Sequence, residues 1–407
     1  MRSRPQTLTP LRWRRRRHDV VFHTPWVGSM LSHGNTLPPG GAEVQVLMLA
    51  KALARCGLRV AIIAFGRRGE LPGEVDGVAI VRRTPWGRGK VIRKFLEPFK
   101  IWWSLWRAPS ATVVHRTAGI ELGFVGLYTT VARRRFVFST ANVVDFGFRE
   151  LMPNGLYQLV YELGVRFANA IVVQTEEQQE LCEATFGRHS FLIKSLAELK
   201  APQDGIPEAF LWIARLVEYK RPLDYIALAD AVPEARFWMV GVPASGESGK
   251  RLLEVVTTAA AHVPNLELLS PRRHDEIEEL MARAVASVNT ADYEGMPNVL
   301  LEAWSRGVPA LVLKHDPGGV VMRHNLGGFA NDSPDAMVQL ARELWATRAK
   351  REAVAQRCRA YVAEHHAPEV VAQQWLDVVS RPMAACKQPP AERDVRVRNA
   401  TRRTARS

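Results

Sequence analysis

The chain has 407 residues, 47% of them hydrophobic, and its 55 Lys and Arg against 41 Asp and Glu give a net charge of +14. That length is too great for one core and suits two domains, and the apolar content excludes disorder over most of it. The positive balance favours anionic partners, whether nucleotide phosphates, nucleic acid or an acidic membrane surface, without choosing among them.

The opening stretch, "MRSRPQTLTPLRWRRRRHDVVF", is basic and lacks the apolar segment of a signal peptide. Residues 1–18 read as a basic arm. No uncharged apolar run reaches the roughly 18 residues of a membrane span, so a cytoplasmic protein, soluble or peripheral on the membrane, is expected. The four cysteines, Cys56, Cys182, Cys358 and Cys386, form no C-x-x-C pair and lie near no histidine at zinc spacing. Reduced thiols and no structural metal are the expectation.

From residue 19 onward short β-branched runs alternate with helical patterns. "DVVFHTP" (19–25), "RVAIIAF" (59–65), "ATVVH" (111–115), "RFVFST" (135–140) and "AIVVQT" (170–175) read as strands. They are almost continuously apolar, as strands buried on both faces are. Helical patterns at 42–55, 154–167 and 176–186 lie between them. Such alternation predicts a parallel, doubly wound sheet. "AELKAPQDGIPE" (197–208) then reads as a linker. A second series follows, with strands at 209–214, 235–240, 265–269, 284–289 and 309–314. Helices are expected at about 220–231, 250–262, 275–284 and 297–305. Two Rossmann-like units in tandem predict an interdomain cleft with ligands at the carboxyl ends of strands. The end is helical, and the last residues from 384 to 407 are basic, apolar-poor and read as disordered.

Three segments could carry chemistry. In "PPGGAEVQVLMLAKAL" (38–53), Gly40 and Gly41 allow close backbone approach just before a helix start, where N–H groups attract anions. The spacing is not that of a dinucleotide fingerprint, and a flexible turn before a packed helix is the competing reading. In "WIARLVEYKRP" (212–222), Arg215 and Lys220 lie just past the first strand of the second unit. There they could clamp a pyrophosphate, Arg by its fork and Lys as a point charge, or be two solvated surface cations. In "ADYEGMPNVLLEAWS" (291–305), a strand ends, Pro297 opens a helix, and the N–H groups from Gly295 to Val299 would point into the cleft. Glu302 lies one to two turns in and could reach a sugar hydroxyl; Glu294 precedes the helix. Both could equally serve helix electrostatics or solvation.

"EGMPNVLLEAWSRGVPAL", with two glutamates separated by seven residues, closely resembles the signature of glycosyltransferase family 4. "ARLVEYKRP" resembles that family's Arg…Lys donor motif, and "PPGGAE" its N-terminal glycine loop. The three occur in the family's order over roughly residues 19–380. The resemblance implies a GT-B fold, α/β with two tandem Rossmann-like domains. Residues 19–200 would hold the acceptor and 208–366 a nucleotide-sugar donor, with a helix at 367–383 crossing back to the first domain. It implies a retaining hexosyltransferase that needs no metal and no cofactor beyond its nucleotide-sugar co-substrate. The acceptor would be a glycan or a lipid-linked sugar, as in cell-surface polysaccharide or glycolipid synthesis. Position by position, Arg215 and Lys220 would bind the donor diphosphate and Glu302 the ribose. Glu294 and the backbone of Gly295, Met296, Pro297, Asn298 and Val299 would hold the donor sugar. Gly40 and Gly41, with Glu43 beside them, would approach the phosphates or acceptor from across the cleft.

The chain departs from the family pattern in two places. Ala214 stands where many relatives have Gly. Where many carry a histidine after the strand written "FVFSTANVVDF", this chain has Ala141 and Asn142, with Asp145 downstream. Asn142 can hydrogen-bond a hydroxyl but cannot act as a base. His115 and Arg116 end a different strand; they could face the same acceptor side, or His115 could be a simple strand-end histidine. Outside the motifs, "GKVIRKFLEPFKIWWSLWRA" (89–108) sets Ile92, Phe95, Leu96, Phe99, Trp102, Trp103 and Trp106 at helical spacing among Lys90, Arg93, Lys94, Lys100 and Arg107. It reads as a helix packed on the sheet and kinked near Pro98, or as a surface for an anionic membrane. A GT-B nucleotide-sugar epimerase is the alternative enzyme. A nucleic-acid-binding protein has only the charge in its favour, and no nucleic-acid partner is expected.

Overall fold

The computed structural model describes residues 17–32, 40–67, 69–84, 96–147, 154–202 and 206–380. Most of the basic arm, the tail from 384, Cys386, and Lys90, Ile92, Arg93, Lys94 and Phe95 lie outside the described residues. The first sheet holds β1 (His18–His23), β2 (Val60–Phe65), β3 (Glu74–Val75), β4 (Val78–Arg83), β5 (Ser110–Arg116), β6 (Arg135–Ser139), β7 (Ala170–Val173) and β8 (Phe191–Leu192). Their order is β3-β4-β2-β1-β5-β6-β7-β8, parallel throughout except for the β3–β4 edge pair. The second sheet holds β9 (Ala209–Leu216), β10 (Phe237–Pro243), β11 (Leu266–Leu269), β12 (Ala284–Asn289), β13 (Ala310–Val312) and β14 (Gly327–Phe329), all parallel in the order β11-β10-β9-β12-β13-β14.

Helices α1 (Gly28–Leu31), α2 (Gly41–Arg55), α3 (Glu97–Arg107), α4 (Glu121–Val131), α5 (Gly155–Phe167) and α6 (Glu176–Phe186) accompany the first sheet. Helices α7 (Pro222–Ala231), α8 (Glu247–Ala260), α9 (His274–Ala282), α10 (Asn298–Arg306), α11 (Val320–Arg323), α12 (Pro334–Ala346) and α13 (Arg348–His365) accompany the second. The last, α14 (Pro368–Ser380), returns to the first: Val371, Ala372, Trp375 and Val378 are buried in one core with Val20, Val46 and Leu49. Each sheet carries apolar clusters on both faces. With both faces covered, polar groups are left to the strand ends, and the carboxyl ends are where these two sheets meet.

The structure adds elements the sequence reading passed over and corrects one. Strands β3 and β4 form the edge of the first sheet; β4 carries the apolar run Val78 to Val81, is half-buried over much of its length and ends on Arg82 and Arg83. Helix α4, "ELGFVGLYTTV", contains two glycines and several β-branched residues, a poor helix former by propensity. It forms because Gly123 and Gly164 let α4 and α5 approach at backbone distance. A Cβ on Gly164 would lie 2.6 Å from the Gly123 nitrogen, and one on Gly123 would lie 2.3 Å from the Val160 carbonyl oxygen. Pro98 does not kink α3 but sits in its first turn, where a missing N–H costs nothing.

Gly164→Ala would force α4 and α5 apart. It should destabilise the protein by about 1–3 kcal/mol in denaturant unfolding. Gly155→Ala, at the open start of α5, should be neutral; equal effects of the two would refute the close-packing account.

Candidate active site

Strand β9 ends with Arg215, exposed and in register with Val242 of β10. One 3-10 turn, Glu218–Lys220, follows. A hydroxyl bridges it to the core: Thr290 Oγ1 accepts from Trp212 Nε1 at 3.0 Å and donates to the Lys220 carbonyl at 2.7 Å. Asp292 N donates to the Tyr219 carbonyl at 2.8 Å, and Tyr219 and Tyr293 stack at 4.7 Å. The ends of β9 and β12 are thereby tied together, which brings Lys220 Nζ onto the Glu294 carboxylate. Burial and the nearby Arg215 guanidinium pull the Lys220 ammonium down to about 8. At about 8 the ammonium is still mostly charged at neutral pH. Arg221 holds the left-handed conformation at φ 49° and bonds Asp224 and Asp332. Asp292 and Lys314 complete that network, which braces the turn from outside.

The chain then runs through Gly295, Met296 and Pro297 into α10. Pro297 is the N-cap and Asn298 the first helical residue, one position later than the spacing predicts. Met296 is buried in the apolar cluster of α10, and Val299 packs against it. Leu300 N donates to the Pro297 carbonyl and Pro297 has no N–H. The amides of Gly295, Met296, Asn298 and Val299 have no acceptor among the described residues. Glu302 lies one turn in, half-buried, facing α9. Burial raises its carboxyl; His274 lowers it, Glu278 raises it, and Lys200 and Arg306 lower it.

Gly295 and Asn298 fix this helix start against the first domain across the cleft. A Cβ on Gly295 would lie 2.5 Å from the Ala141 carbonyl oxygen, so only glycine permits the approach. Asn298 Nδ2 donates to the Gly41 carbonyl at 2.9 Å, and Asn298 Oδ1 accepts from Gln45 Nε2 at 3.1 Å. Gln45 also bonds both the N–H and the carbonyl of Leu196. Gly40 is the N-cap of α2, Gly41 its first residue, and Glu43 lies in its first turn. The N-termini of α2 and α10 thus meet, and two positive helix ends converge on one region.

On the first domain's strand ends, His115 is buried beside His23: the rings stack at 5.2 Å, and His115 Nδ1 lies 2.9 Å from the His23 carbonyl and 3.0 Å from His23 Nδ1. Burial holds His115 down at about 4 and His23 well below its usual range. His23 Nε2 contacts Arg83, which pairs with Glu97. His115 therefore belongs to a buried polar chain running from β5 to α3. Arg116 follows at the strand end, buried. Asp145 accepts backbone N–H bonds from Ala141 at 2.6 Å, Asn142 at 3.2 Å and Ala118 at 3.4 Å, which hold the segment carrying Asn142 in place. Among the described residues no group of three or more His, Cys, Asp or Glu is arranged to hold a metal.

The structure brings in residues the sequence reading passed over. Gln45 and Thr290 act through hydrogen bonds between distant segments, which no local pattern marks. His315 follows β13, half-buried, its Nε2 without a hydrogen bond, close enough to Lys220 and Glu177 to feel both charges. Its place at a strand's carboxyl end was the available signal. Gln178 Nε2 is buried without a partner and would lie 3.1 Å from a Cβ at Gly295.

Residues 40–190 match the glycosyl transferase 4-like domain, and residues 198–361 match the glycosyl transferases group 1 domain. An exopolysaccharide phosphotransferase of Streptomyces coelicolor is 29% identical over 174 residues, 40% of this chain, and the match spans only 18% of that relative's length. Sucrose-phosphate synthase from Thermosynechococcus elongatus superposes with a TM-score of 0.72 at 16% identity, covering 91% of this chain and 100% of its own. HepE from Anabaena in complex with UDP and glucose gives 0.68 at 16% identity, covering 89% and 99%. At that identity these two likenesses are of fold. With both domain families matched in order, the chain belongs to the group 1, family 4 glycosyltransferases and has their two-domain GT-B fold.

Proposed function

We propose that the protein is a retaining glycosyltransferase that moves a hexose from a nucleoside-diphosphate sugar to a hydroxyl of a glycan or lipid-linked acceptor, without a metal. The observation that carries this reading is the meeting of the Lys220–Glu294 pair with the N-termini of α2 and α10 at the carboxyl ends of both sheets. A cation, a carboxylate and open amides in one cleft suit a ligand that is both phosphate and sugar.

Arg215, Lys220 and the amides around Asn298 meet the charge that grows on the leaving diphosphate. Glu302 accepts from ribose hydroxyls and Glu294 from the donor sugar; Lys220 leaves Glu294 for the phosphate as donor binds. The acceptor oxygen forms its bond to the anomeric carbon as the bond to the β-phosphate breaks. The acceptor's proton passes to a β-phosphate oxygen, so no separate base is needed. Attack on the leaving-group face retains configuration, and closure of the cleft aligns the pair. The Anabaena HepE complexes with UDP and with UDP-glucose support a nucleotide sugar as donor, and the Streptomyces relative supports polysaccharide synthesis as the setting. A cytoplasmic, peripheral location is part of the proposal. Helix α3 packs Ile101 and Leu105 inward while Phe99, Trp103 and Trp106 stand 61–70% exposed beside Arg107, a face suited to an anionic bilayer.

With the donor found by thermal-shift screening of nucleotide sugars, Lys220→Ala and Glu302→Ala should each cut transfer by about 100-fold or more with unchanged circular dichroism. Wild-type rates in both would remove the proposed roles. A protonated Lys220 is needed for the diphosphate, and protonation is lost as pH rises through about 8. Affinity for the nucleoside diphosphate, measured by calorimetry, should therefore fall roughly tenfold between pH 7 and 9.5. Lys220→Arg should flatten that profile. Co-sedimentation with phosphatidylglycerol vesicles should be salt-sensitive and several-fold weaker in a Trp103→Ser, Trp106→Ser double variant; binding indifferent to both would exclude α3 as the membrane face.

A further inference from the structure

Arg116 is a buried cation at this cleft that the proposed chemistry does not use. It ends β5, in register with Ser139 of β6, and is 7% exposed. Its Nε is fully enclosed without an acceptor. Among the described residues no carboxylate lies within ion-pair distance, and neither terminal nitrogen has a hydrogen-bond partner. Glu43, from the first turn of α2, and Asp145 act on it only at longer range. Asp145 is committed to three backbone N–H groups. Burial pulls the guanidinium down to about 10, which leaves it charged at neutral pH.

A buried guanidinium with five donors and no bound acceptor is unfavourable in the unliganded protein. The chain around it is strained as well: Thr117, β-branched, holds φ 77°. Strain and an unpaired charge at a strand's carboxyl end, on the cleft side of the sheet, mark a place kept for a ligand rather than for stability. The donor diphosphate already has Arg215, Lys220 and two helix starts. Arg116 instead belongs to the first domain's sheet, on the side left for the acceptor, with Glu43 and Asp145 acting on it only at longer range.

We infer that Arg116 binds an anionic group of the acceptor, a carboxylate or a phosphate carried on the sugar or its linker, so that the acceptor is an acidic rather than a neutral glycan. This rests on the glycosyltransferase reading above. The planar fork suits either anion in a bidentate contact.

The test is thermal unfolding of the whole chain with the donor site filled by saturating UDP, at constant ionic strength. Replacing chloride with inorganic phosphate or with acetate at about ten times its Kd should raise the wild-type Tm by roughly 3 °C. Which of the two acts tells a phosphate from a carboxylate. Arg116→Met should lose that shift, keep the UDP shift, and match or exceed the wild-type Tm in chloride, because an unpaired buried charge has been removed. Arg116→Lys should keep part of the anion response. The inference is overturned by an equal anion shift in Arg116→Met, by no anion shift in wild type, by loss of the UDP shift in Arg116→Met, which would assign the guanidinium to the donor, or by a much lower Tm in chloride, which would make it structural. Failure of UDP and other nucleoside diphosphates to stabilise the wild type would instead count against the glycosyltransferase reading, and the anion arm would still be read on its own.

Discussion

Everything at the cleft depends on how closely two helix starts approach each other. Gly295 lies against the Ala141 carbonyl, and Gly41 lies against Asn298, at distances that leave no room for a methyl group at Gly295 and little at Gly41. Without that approach the α2 terminus would lie apart, on its own domain, from the amides before α10 and the Lys220–Glu294 pair. With it they share one region. The approach is held by few bonds: Asn298 to Gly41 and to Gln45, and Gln45 to Leu196. A contact made of a few hydrogen bonds and glycine clearance suits two bodies that open and close.

The rest of the molecule supplies rigidity behind that contact. Parallel strands covered on both faces fix their carboxyl ends well. Thr290 ties β12 to the turn after β9 through one hydroxyl, and the Arg221 network braces the same turn from the solvent side. Helix α14 lies in the first domain's core, so the end of the described chain couples the two halves far from the cleft. The polar chain from His115 through His23 and Arg83 to Glu97 joins the carboxyl end of β5 to α3, whose outer face is aromatic. Arg116 differs from these: among the described residues its guanidinium has neither an ion pair nor a hydrogen bond, and its Nε is enclosed.

Much of the fold was legible because its signals are local. Continuous apolar runs marked β1, β2, β5, β6 and β7 and most of the second sheet within a few residues, and glycine and proline marked the turns. Elements that rely on partners were not legible. Helix α4 has poor propensity and exists because glycines let α5 close on it. Strand β4 was passed over although Val78 to Val81 form an apolar run as long as that of β7. At the site, Lys220, Glu294, Gly295, Gly41 and Asn298 could be picked out by motif, and the structure brings them together. His115 was read as a cleft residue or a strand-end histidine, and its burial against His23 favours the second.

The sequence by itself determined the alternation of strand and helix, the family, and the residues that stand at strand ends, because periodicity and motif spacing are properties of neighbours along the chain. Only the tertiary structure decided that Lys220 meets Glu294, that Asn298 bridges to Gly41 across the cleft, and that Arg116 has no hydrogen-bond or ion-pair partner among the described residues. Those facts concern residues up to about 250 positions apart, whose meeting is set by packing and by the clearance of a few glycines. A run of letters can name a charge, but whether that charge is paired is settled only by what the fold puts beside it.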